Sequence, residues 1–148
     1  MKILIISDSH GNIANIKHVM GFATNINANA VIHCGDWDNL ESVKTVLSFG
    51  IPLYSVLGNA DTDPGFKFKE FLEVNIDNRK IGVTHKPSGV KKYFEGKKMD
   101  IIFCGHLHSK DERMLNEVRV ARPGAILNGI NFAVYETKAN TVEFFQDE

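Results

Sequence analysis

Residues 1–10 read MKILIISDSH, a short apolar run followed at once by polar side chains. The uninterrupted run ILII at residues 3–6 predicts a strand that is buried on both faces, as in a parallel sheet. Asp8 and His10 follow two positions apart, so both side chains point to the same side if the chain is extended. Sites in open α/β sheets lie at the carboxyl ends of strands. The opening stretch therefore predicts a strand that ends at an ion-binding position.

Composition places the chain among ordinary globular proteins. Its 148 residues, 43% hydrophobic and 24% charged, suffice for one domain over residues 1–148 with a buried core. Seventeen basic and eighteen acidic residues give a net charge of −1, which is no strong nucleic-acid signal. No apolar stretch reaches the length of a signal-peptide core or a membrane span, which argues against a membrane partner. Cys34 and Cys104 form no CxxC pair and are expected to be buried, reduced thiols of a cytoplasmic protein.

The first half of the chain alternates short apolar runs with helical periodicity. Helices are predicted to follow Asn12 and Asn39, each a candidate N-cap, with Leu47 on the inner face of the second helix. Further buried strands are predicted over residues 31–34 and 53–57. The order strand, helix, strand, helix, strand favours a parallel sheet.

The second half changes to the alternating pattern of antiparallel hairpins. One hairpin is predicted to end at His85, followed by a short helix at residues 90–94 and a buried strand at residues 100–104. Two more hairpins follow. The last is expected to pair two sets of residues across the strands: Phe132 and Val134 with Val142 and Phe144. The predicted architecture is α/β, with two mixed β-sheets packed together and helices outside.

Metal-competent side chains recur wherever a predicted strand ends. Three strands end in glycine followed by such a residue, and glycine allows the sharp turn and the close approach that a site needs. The full set is Asp8, His10, Asp36, Asn59, His85, His106 and His108. Seven groups are too many for one ion with four to six ligands, but they suit two ions that share a bridging carboxylate.

The order and spacing of these motifs resemble the calcineurin-like metallophosphoesterase superfamily. The family pattern is D-x-H, G-D, G-N, H and G-H-x-H, which here reads Asp8-Ser9-His10, Gly35-Asp36, Gly58-Asn59, His85 and Gly105-His106-Leu107-His108. More narrowly, the chain is similar to the small single-domain phosphodiesterase branch that contains the retromer subunit of the vacuolar sorting machinery. The resemblance implies a four-layer αββα fold.

The resemblance also implies how the ligands divide between two ions. One ion would be held by Asp8, His10, Asp36 and His108, and the other by Asp36, Asn59, His85 and His106. A hydroxide between the ions would attack phosphorus in line, which makes Asp36, Asn59 and His85 the expected catalytic residues. Manganese is the expected metal, with iron, zinc, nickel and cobalt as alternatives. The implied substrate is a small phosphate ester or phosphodiester, and the family allows a homodimer.

Two positions depart from the family pattern. Ala60 follows Asn59 where many relatives carry histidine or cysteine, and alanine cannot protonate a leaving group. Substrates with good leaving groups are therefore expected. Lys86 follows His85 in place of the more usual Gly-His, and it could either bind substrate phosphate as a point charge or face solvent.

Neighbouring residues admit two interpretations each. His33 could orient a ligand or be a hydrogen-bonded core histidine. Asp61 is the favoured hydrogen-bond partner of a ligand histidine, whereas ordinary turn chemistry is favoured for Asp38 and Asp63. Trp37 could line the substrate pocket or pack in the core.

The main alternative function is a non-catalytic, metal-binding protein-interaction scaffold of the retromer-subunit type. Those relatives have lost part of the ligand set, whereas this chain keeps every position, which favours catalysis. Exposed apolar residues could still form a partner or dimer surface, with Phe66, Phe68 and Phe71 as candidates. The lysine pairs at residues 91–92 and 97–98 are predicted to be a solvated face.

Two other classes of protein are excluded because the short motifs that they require are missing from the sequence. Metallo-β-lactamase-type hydrolases need Asp-His directly after His-x-His, but Ser109-Lys110 follows His108 here. A dinucleotide-binding or P-loop protein needs a glycine-rich loop after its first strand, and none follows residues 3–6.

Overall fold

A computed structural model describes residues 1–147, and within that range the chain forms ten strands and three helices. In chain order these are β1 (Lys2–Ile6), α1 (Ile13–Asn25), β2 (Ala30–His33), α2 (Leu40–Leu47), β3 (Leu53–Ser55), β4 (Phe71–Ile76), β5 (Arg79–Thr84), α3 (Gly89–Phe94), β6 (Ile101–Phe103), β7 (Lys110–Leu115), β8 (Val118–Pro123), β9 (Asn131–Glu136) and β10 (Thr141–Gln146). None of the helices in this range is long and apolar enough to cross a membrane.

The strands form two mixed five-stranded sheets. The first sheet has the order β10-β9-β1-β2-β3, in which β1, β2 and β3 run parallel and β9 is antiparallel to β1. The second has the order β4-β5-β6-β8-β7, with parallel pairs β5-β6 and β6-β8 between antiparallel outer pairs. The predicted α/β architecture of two mixed sheets is confirmed.

Strand β1 explains why the layers stack as they do. Its side chains alternate between two apolar environments: Ile3 and Ile5 pack between the sheets, whereas Leu4 and Ile6 pack under α1 and α2. All four are fully buried, and each such side chain contributes about 1.5–3 kcal/mol to folding. Helix α3 covers the outer face of the second sheet, mainly through Phe94. The layers are therefore helix, sheet, sheet, helix.

Both predicted N-caps are confirmed. The Asn12 side chain accepts a hydrogen bond from the Asn15 amide at 3.0 Å, and Asn39 accepts from the Ser42 amide at 2.9 Å. The placement of Leu47 on the inner face of α2 was wrong, because its side chain is 53% exposed. One residue turns the helix by about 100°, so Leu47 rotates away from the core once Val46 is buried there.

The register of the last hairpin differs from the prediction by one residue. The loop between β9 and β10 has four residues, 137–140, because Glu136 pairs with Thr141. Phe132 therefore lies opposite Phe145, not Phe144, and the two rings stack with centroids 5.2 Å apart. A shift of one residue moves every side chain of a strand to the other face, so this stacked pair favours the observed register.

The expected apolar surface at residues 66–71 does not form. Phe66 is only 8% exposed and packs in the core beneath the helices. Phe68 stacks on Trp37 with ring centroids 6.1 Å apart, and Phe71 stacks on Tyr93 at 4.5 Å. Charged residues separate these phenylalanines in the sequence, but the three aromatic rings turn inward.

Candidate metal centre

The loops that follow the central strands of both sheets meet at one edge of the sandwich. The Asp8 amide donates to the Gly35 carbonyl at 3.0 Å, which joins the loops after β1 and β2. The Gly105 amide donates to the His85 carbonyl at 2.8 Å, which joins the loops after β5 and β6. The His85 ring then contacts the Cys34 carbonyl at 2.7 Å and connects the two sheets. This edge is where all seven predicted ligands lie.

Four of the predicted ligands have left-handed backbone conformations. The φ angles are +53° at Asp8, +44° at His10, +67° at Asp36 and +72° at His106. Asp8 and His10 therefore do not converge through an extended chain, as the sequence argument assumed, but through a tight bend. Such conformations cost roughly 1–3 kcal/mol each and cluster at functional sites.

The first group of candidate ligands consists of Asp8, His10 and His108. The Oδ1 atom of Asp8 lies 3.8 Å from His10 Nε2 and 3.6 Å from His108 Nε2. The other carboxylate oxygen, Oδ2, accepts hydrogen bonds from Ser7 Oγ and from the His106 amide. Among residues 1–147, Asp8 Oδ1 is the one buried side-chain polar atom without a hydrogen-bond partner. A buried oxygen of this kind fits a cation that two imidazoles also face.

The second group consists of Asp36, His85 and His106. Asp36 Oδ2 lies 3.1 Å from His85 Nε2, and the His85 and His106 rings are 5.2 Å apart between centroids. Asn59 joins this group, because its Oδ1 lies 3.0 Å from His85 Nε2. Asp36 Oδ1 accepts a hydrogen bond from the Ala60 amide, which fixes the carboxylate.

Asp36 lies between the two groups. Its Oδ2 atom is 3.6 Å from His10 Nε2 on one side and 3.1 Å from His85 Nε2 on the other. Within each group the candidate ligand atoms lie within 4.8 Å of one another. Such spacings suit ligands that surround an ion at about 2.0–2.2 Å each. The donor set therefore fits two divalent ions with a shared carboxylate.

Burial and neighbouring charges shift the pKa values of these groups. Burial raises the pKa of Asp8, against the hydrogen bond from Ser7 and the charge of His85. Burial would also raise the pKa of Asp36, but the hydrogen bonds from His85 and the Ala60 amide hold it well below its usual range. For His85, burial would lower the pKa, but Asp36 raises it overall.

Two ring hydrogen bonds orient the ligand histidines. His85 Nδ1 contacts the Cys34 carbonyl, which can only accept, so Nδ1 carries the proton and Nε2 is free for a metal. His10 Nδ1 contacts Asp38 Oδ1 at 2.9 Å and is fixed in the same way. The assignment of Asp38 to ordinary turn chemistry was therefore wrong. Asp38 lies two residues after Asp36, a spacing that could have suggested a role at the site.

Asp61 has a different role from the one predicted. Its carboxylate accepts hydrogen bonds from the backbone amides of Asp36, Trp37, Asp38 and Gly58 at 2.7–2.9 Å. It contacts no histidine in these bonds, but it holds the loops that carry Asp36 and Asn59. Asp63 accepts from the Gly65 amide at 2.7 Å, which is the turn chemistry expected of it.

His33 is a hydrogen-bonded core histidine that also helps to position the loops carrying candidate ligands. The ring is fully buried, and its Nδ1 accepts a hydrogen bond from the Gly35 amide, so Nε2 donates to Ser9 Oγ at 3.0 Å. Burial keeps the pKa of His33 well below its usual value, so the ring stays neutral. Trp37 stacks on it at 3.7 Å and is also fully buried. Trp37 is thus a packing residue, whereas His33 joins the loops after β1 and β2.

The Asp38 contact predicts a loss of metal affinity. Asp38→Ala should weaken binding at the group formed by Asp8, His10 and His108 by about 10–100-fold, because outer hydrogen-bond partners orient ligand histidines. Asp63→Ala removes a turn carboxylate and should leave metal affinity unchanged. Isothermal titration of metal-stripped protein would measure both. Equal affinities in the two variants would contradict an orienting role for Asp38.

Gly105 predicts a loss of stability. A Cβ at this position would overlap Ser7 Oγ and lie 2.8 Å from Asp8 Oδ2, so alanine must displace the side chains of Ser7 and Asp8. Gly105→Ala should lower the free energy of unfolding by about 1–3 kcal/mol. A Cβ on Gly21 in α1 would meet nothing within 4 Å, so Gly21→Ala should be neutral or stabilising. Urea unfolding of both variants tests this, and a harmless Gly105→Ala would contradict the close approach.

An open cleft of about 440 Å³ lies beside the second group. Asn59 and His85 form part of its wall, and Lys86 lies on the same wall. Lys92 and Tyr93 of α3 complete the far side. Lys92, predicted as part of a solvated face, therefore also lines the cleft. No sequence pattern indicates this position, because the placement of α3 depends on packing against the second sheet.

Comparisons with known proteins agree with the motif pattern. The family model described as the calcineurin-like phosphoesterase superfamily domain matches residues 1–140. A phosphodiesterase of Methanocaldococcus jannaschii is 29% identical over 139 aligned residues, which cover 84% of this chain and 83% of that protein. The probable metallophosphoesterase YsnB of Bacillus subtilis is 31% identical over 134 residues, covering 85% of this chain and 75% of that protein.

Solved structures show the same fold. An archaeal phosphodiesterase has a TM-score of 0.86 and 23% sequence identity, with 99% of each chain covered. Vps29 of Entamoeba histolytica has a TM-score of 0.73 and 17% identity, with both chains covered completely. At these identities the likeness concerns the fold alone. The fold is therefore shared by a phosphodiesterase and by a vacuolar sorting protein.

Proposed function

The chain belongs to the calcineurin-like phosphoesterase superfamily, and from this we propose that it is a metal-dependent phosphodiesterase with a two-metal site. The observation that carries the proposal is the position of Asp36, whose Oδ2 lies within 3.6 Å of His10 and 3.1 Å of His85. A carboxylate between two groups of imidazoles is suited to bridge two ions. The unpartnered Asp8 Oδ1 supports a cation in the first group.

The proposed ligands divide as the family resemblance implies. Asp8, His10 and His108 would hold one ion, and Asn59, His85 and His106 the other, with Asp36 shared. Divalent ions there would supply Lewis acidity, neutralise phosphoryl charge and lower the pKa of water from about 15.7 towards 7. Mixed oxygen and imidazole ligands support manganese as our choice, with iron, zinc, nickel or cobalt as alternatives.

The protein's own groups prepare the site for an anionic substrate. Asn59 is a neutral ligand, so the second group carries one negative charge less than a carboxylate would bring. The Cys34 carbonyl accepts from His85 Nδ1 and so turns Nε2 towards the proposed metal position, and Asp38 orients the His10 ring in the same way. Asn59 and His85 line the cleft, and Asp36 contacts His85 at 3.1 Å, so we assign the catalytic role to these three residues.

Hydrolysis of two chromogenic esters tests the proposal. Metal-stripped protein is assayed with bis(p-nitrophenyl) phosphate and p-nitrophenyl phosphate, with each divalent metal added back separately. We expect manganese to restore activity and the diester to be preferred. A monoester preference would contradict the phosphodiesterase assignment. Absence of activity with every metal, in protein that binds two ions by titration, would favour the interaction-scaffold function instead.

A further inference from the structure

The cleft beside the metal centre is larger than a phosphate group needs. Its volume of about 440 Å³ lies within the range of roughly 300–1,000 Å³ that is typical of ligand pockets. Of the proposed ligands it is lined by Asn59 and His85, and not by Asp8, His10 or His108. A substrate with its scissile phosphate at the metal centre can therefore extend past His85 towards α3.

The far part of the cleft presents two lysines. Lys86 follows His85 directly, and Lys92 lies on α3; both are exposed and line the cleft. Neither forms a salt bridge with any carboxylate of residues 1–147. Lys92 Nζ lies 5.1 Å from the centre of the Tyr93 ring, which helps to hold the ammonium group on this wall.

The carboxylates of the cleft wall already have hydrogen-bond donors. Both oxygens of Asp61 accept backbone amides. Glu70 Oε2 accepts the Tyr93 hydroxyl at 2.8 Å. The two lysines are the cationic groups of the cleft, and neither has a carboxylate partner among residues 1–147, so a charged partner for them is an anion.

Within residues 1–147, no imidazole outside the metal groups borders the cleft. Of the six histidines, four belong to the two candidate ligand groups. His33 is fully buried between the loops after β1 and β2, and His18 on α1 pairs with Asp147. Ala60 occupies the position next to Asn59 and cannot donate a proton. An alkoxide leaving group would have no histidine to protonate it, whereas a phosphate leaves as a stable anion without such help.

We infer that the substrate is a phosphoanhydride, in which the scissile phosphate is joined through a bridging oxygen to a second phosphate that Lys86 and Lys92 bind. This inference rests on the proposed function and specifies its substrate class. The lysines would stabilise the second phosphate in the cleft and the negative charge that grows on it as it leaves.

The reaction is a hydrolysis that needs no further reactant. The oxygen of a water molecule bonds to the scissile phosphorus, and the bond from that phosphorus to the bridging oxygen breaks. The bonding pair stays on the bridging oxygen, which becomes part of the departing phosphate. The protons of the water are released to solvent or retained by the two product phosphates according to pH.

Paired kinetics and binding test the inference on manganese-loaded protein. The substrates are diadenosine pyrophosphate, an anhydride, and bis(p-nitrophenyl) phosphate, which has no second phosphate. The binding probe is adenosine 5′-(α,β-methylene)diphosphate, which cannot be hydrolysed at the bridge. The double variant Lys86→Ala/Lys92→Ala is compared with Lys91→Ala, which removes a neighbouring lysine of α3 that does not line the cleft.

We expect the wild type to hydrolyse the anhydride. In the double variant the ratio of kcat/KM for the anhydride to that for the chromogenic diester should fall by about tenfold or more, and the probe should bind about tenfold more weakly. Lys91→Ala should match the wild type. A wild type active on the diester but not on the anhydride would overturn the inference and leave the proposed function standing. An unchanged ratio or unchanged probe binding in the double variant would also overturn it.

Failure of the proposed function gives a different pattern. Neither substrate would then be hydrolysed with any metal. In that case probe binding decides the role of the lysines: weaker binding in the double variant supports the anion site, and equal binding overturns it.

Discussion

Asp36→Asn is expected to reduce kcat/KM for bis(p-nitrophenyl) phosphate by about a thousandfold or more, because the variant loses the charge that both proposed ions share. Asparagine keeps the size of the side chain and can still accept the Ala60 amide through one oxygen. It cannot place a negative oxygen both 3.6 Å from His10 and 3.1 Å from His85. Titration should therefore show at least one ion lost, with folding preserved by circular dichroism.

A matched variant separates the bridge from a general charge effect. Asp147→Asn makes the same chemical change at an exposed carboxylate that pairs with His18. It should retain full activity, since surface ion pairs contribute about 0–1 kcal/mol. Full activity of Asp36→Asn would disprove the two-metal account.

Metal addition should raise the melting temperature of metal-stripped protein by about 10 °C. An ion present at a thousand times its dissociation constant stabilises the folded state by about 4 kcal/mol, and 1 kcal/mol corresponds to about 2–4 °C in a chain of this size. The structural basis is Asp8, whose Oδ1 is buried without a partner. An ion would give that oxygen its missing partner.

Asp8→Asn should remove most of that rise without lowering the melting temperature of the metal-free protein. Burial raises the pKa of Asp8 above its ordinary value of 3.8. The free-energy cost of ionising Asp8 in the folded protein is therefore absent below pH 3.8. It reaches its full size once the pH exceeds the raised pKa of the folded state. The neutral amide avoids it and can still accept from Ser7 and His106. A metal-dependent rise equal to that of the wild type would contradict the assignment of Asp8 as a ligand.

Local motifs made the fold predictable, and also the convergence of the seven candidate ligands at one edge, because each candidate lies within five residues after the end of a strand. Contacts between distant segments were not predictable. Asp38 and Asp61 both follow strand ends, and although the spacing from Asp36 hints at a role for Asp38, it does not tell which of the two faces His10 and which faces backbone amides. The predicted register of the last hairpin was wrong for a similar reason, since a loop of three or of four residues suits the same sequence pattern. Lys92 reaches the cleft only because α3 packs on the second sheet.

The pairing of β1 with β9 has a consequence for the order of assembly. The second sheet is built from the continuous segment 71–123, whereas the first sheet needs strands from both ends of the chain. During synthesis, the edge of β1 that pairs with β9 stays unpaired until residues 131–136 leave the ribosome. The loop after β1 also accepts backbone hydrogen bonds from Ile126 and Leu127, so its contacts are completed late as well. Deleting β9 and β10 should therefore abolish metal binding, although neither strand supplies a single ligand.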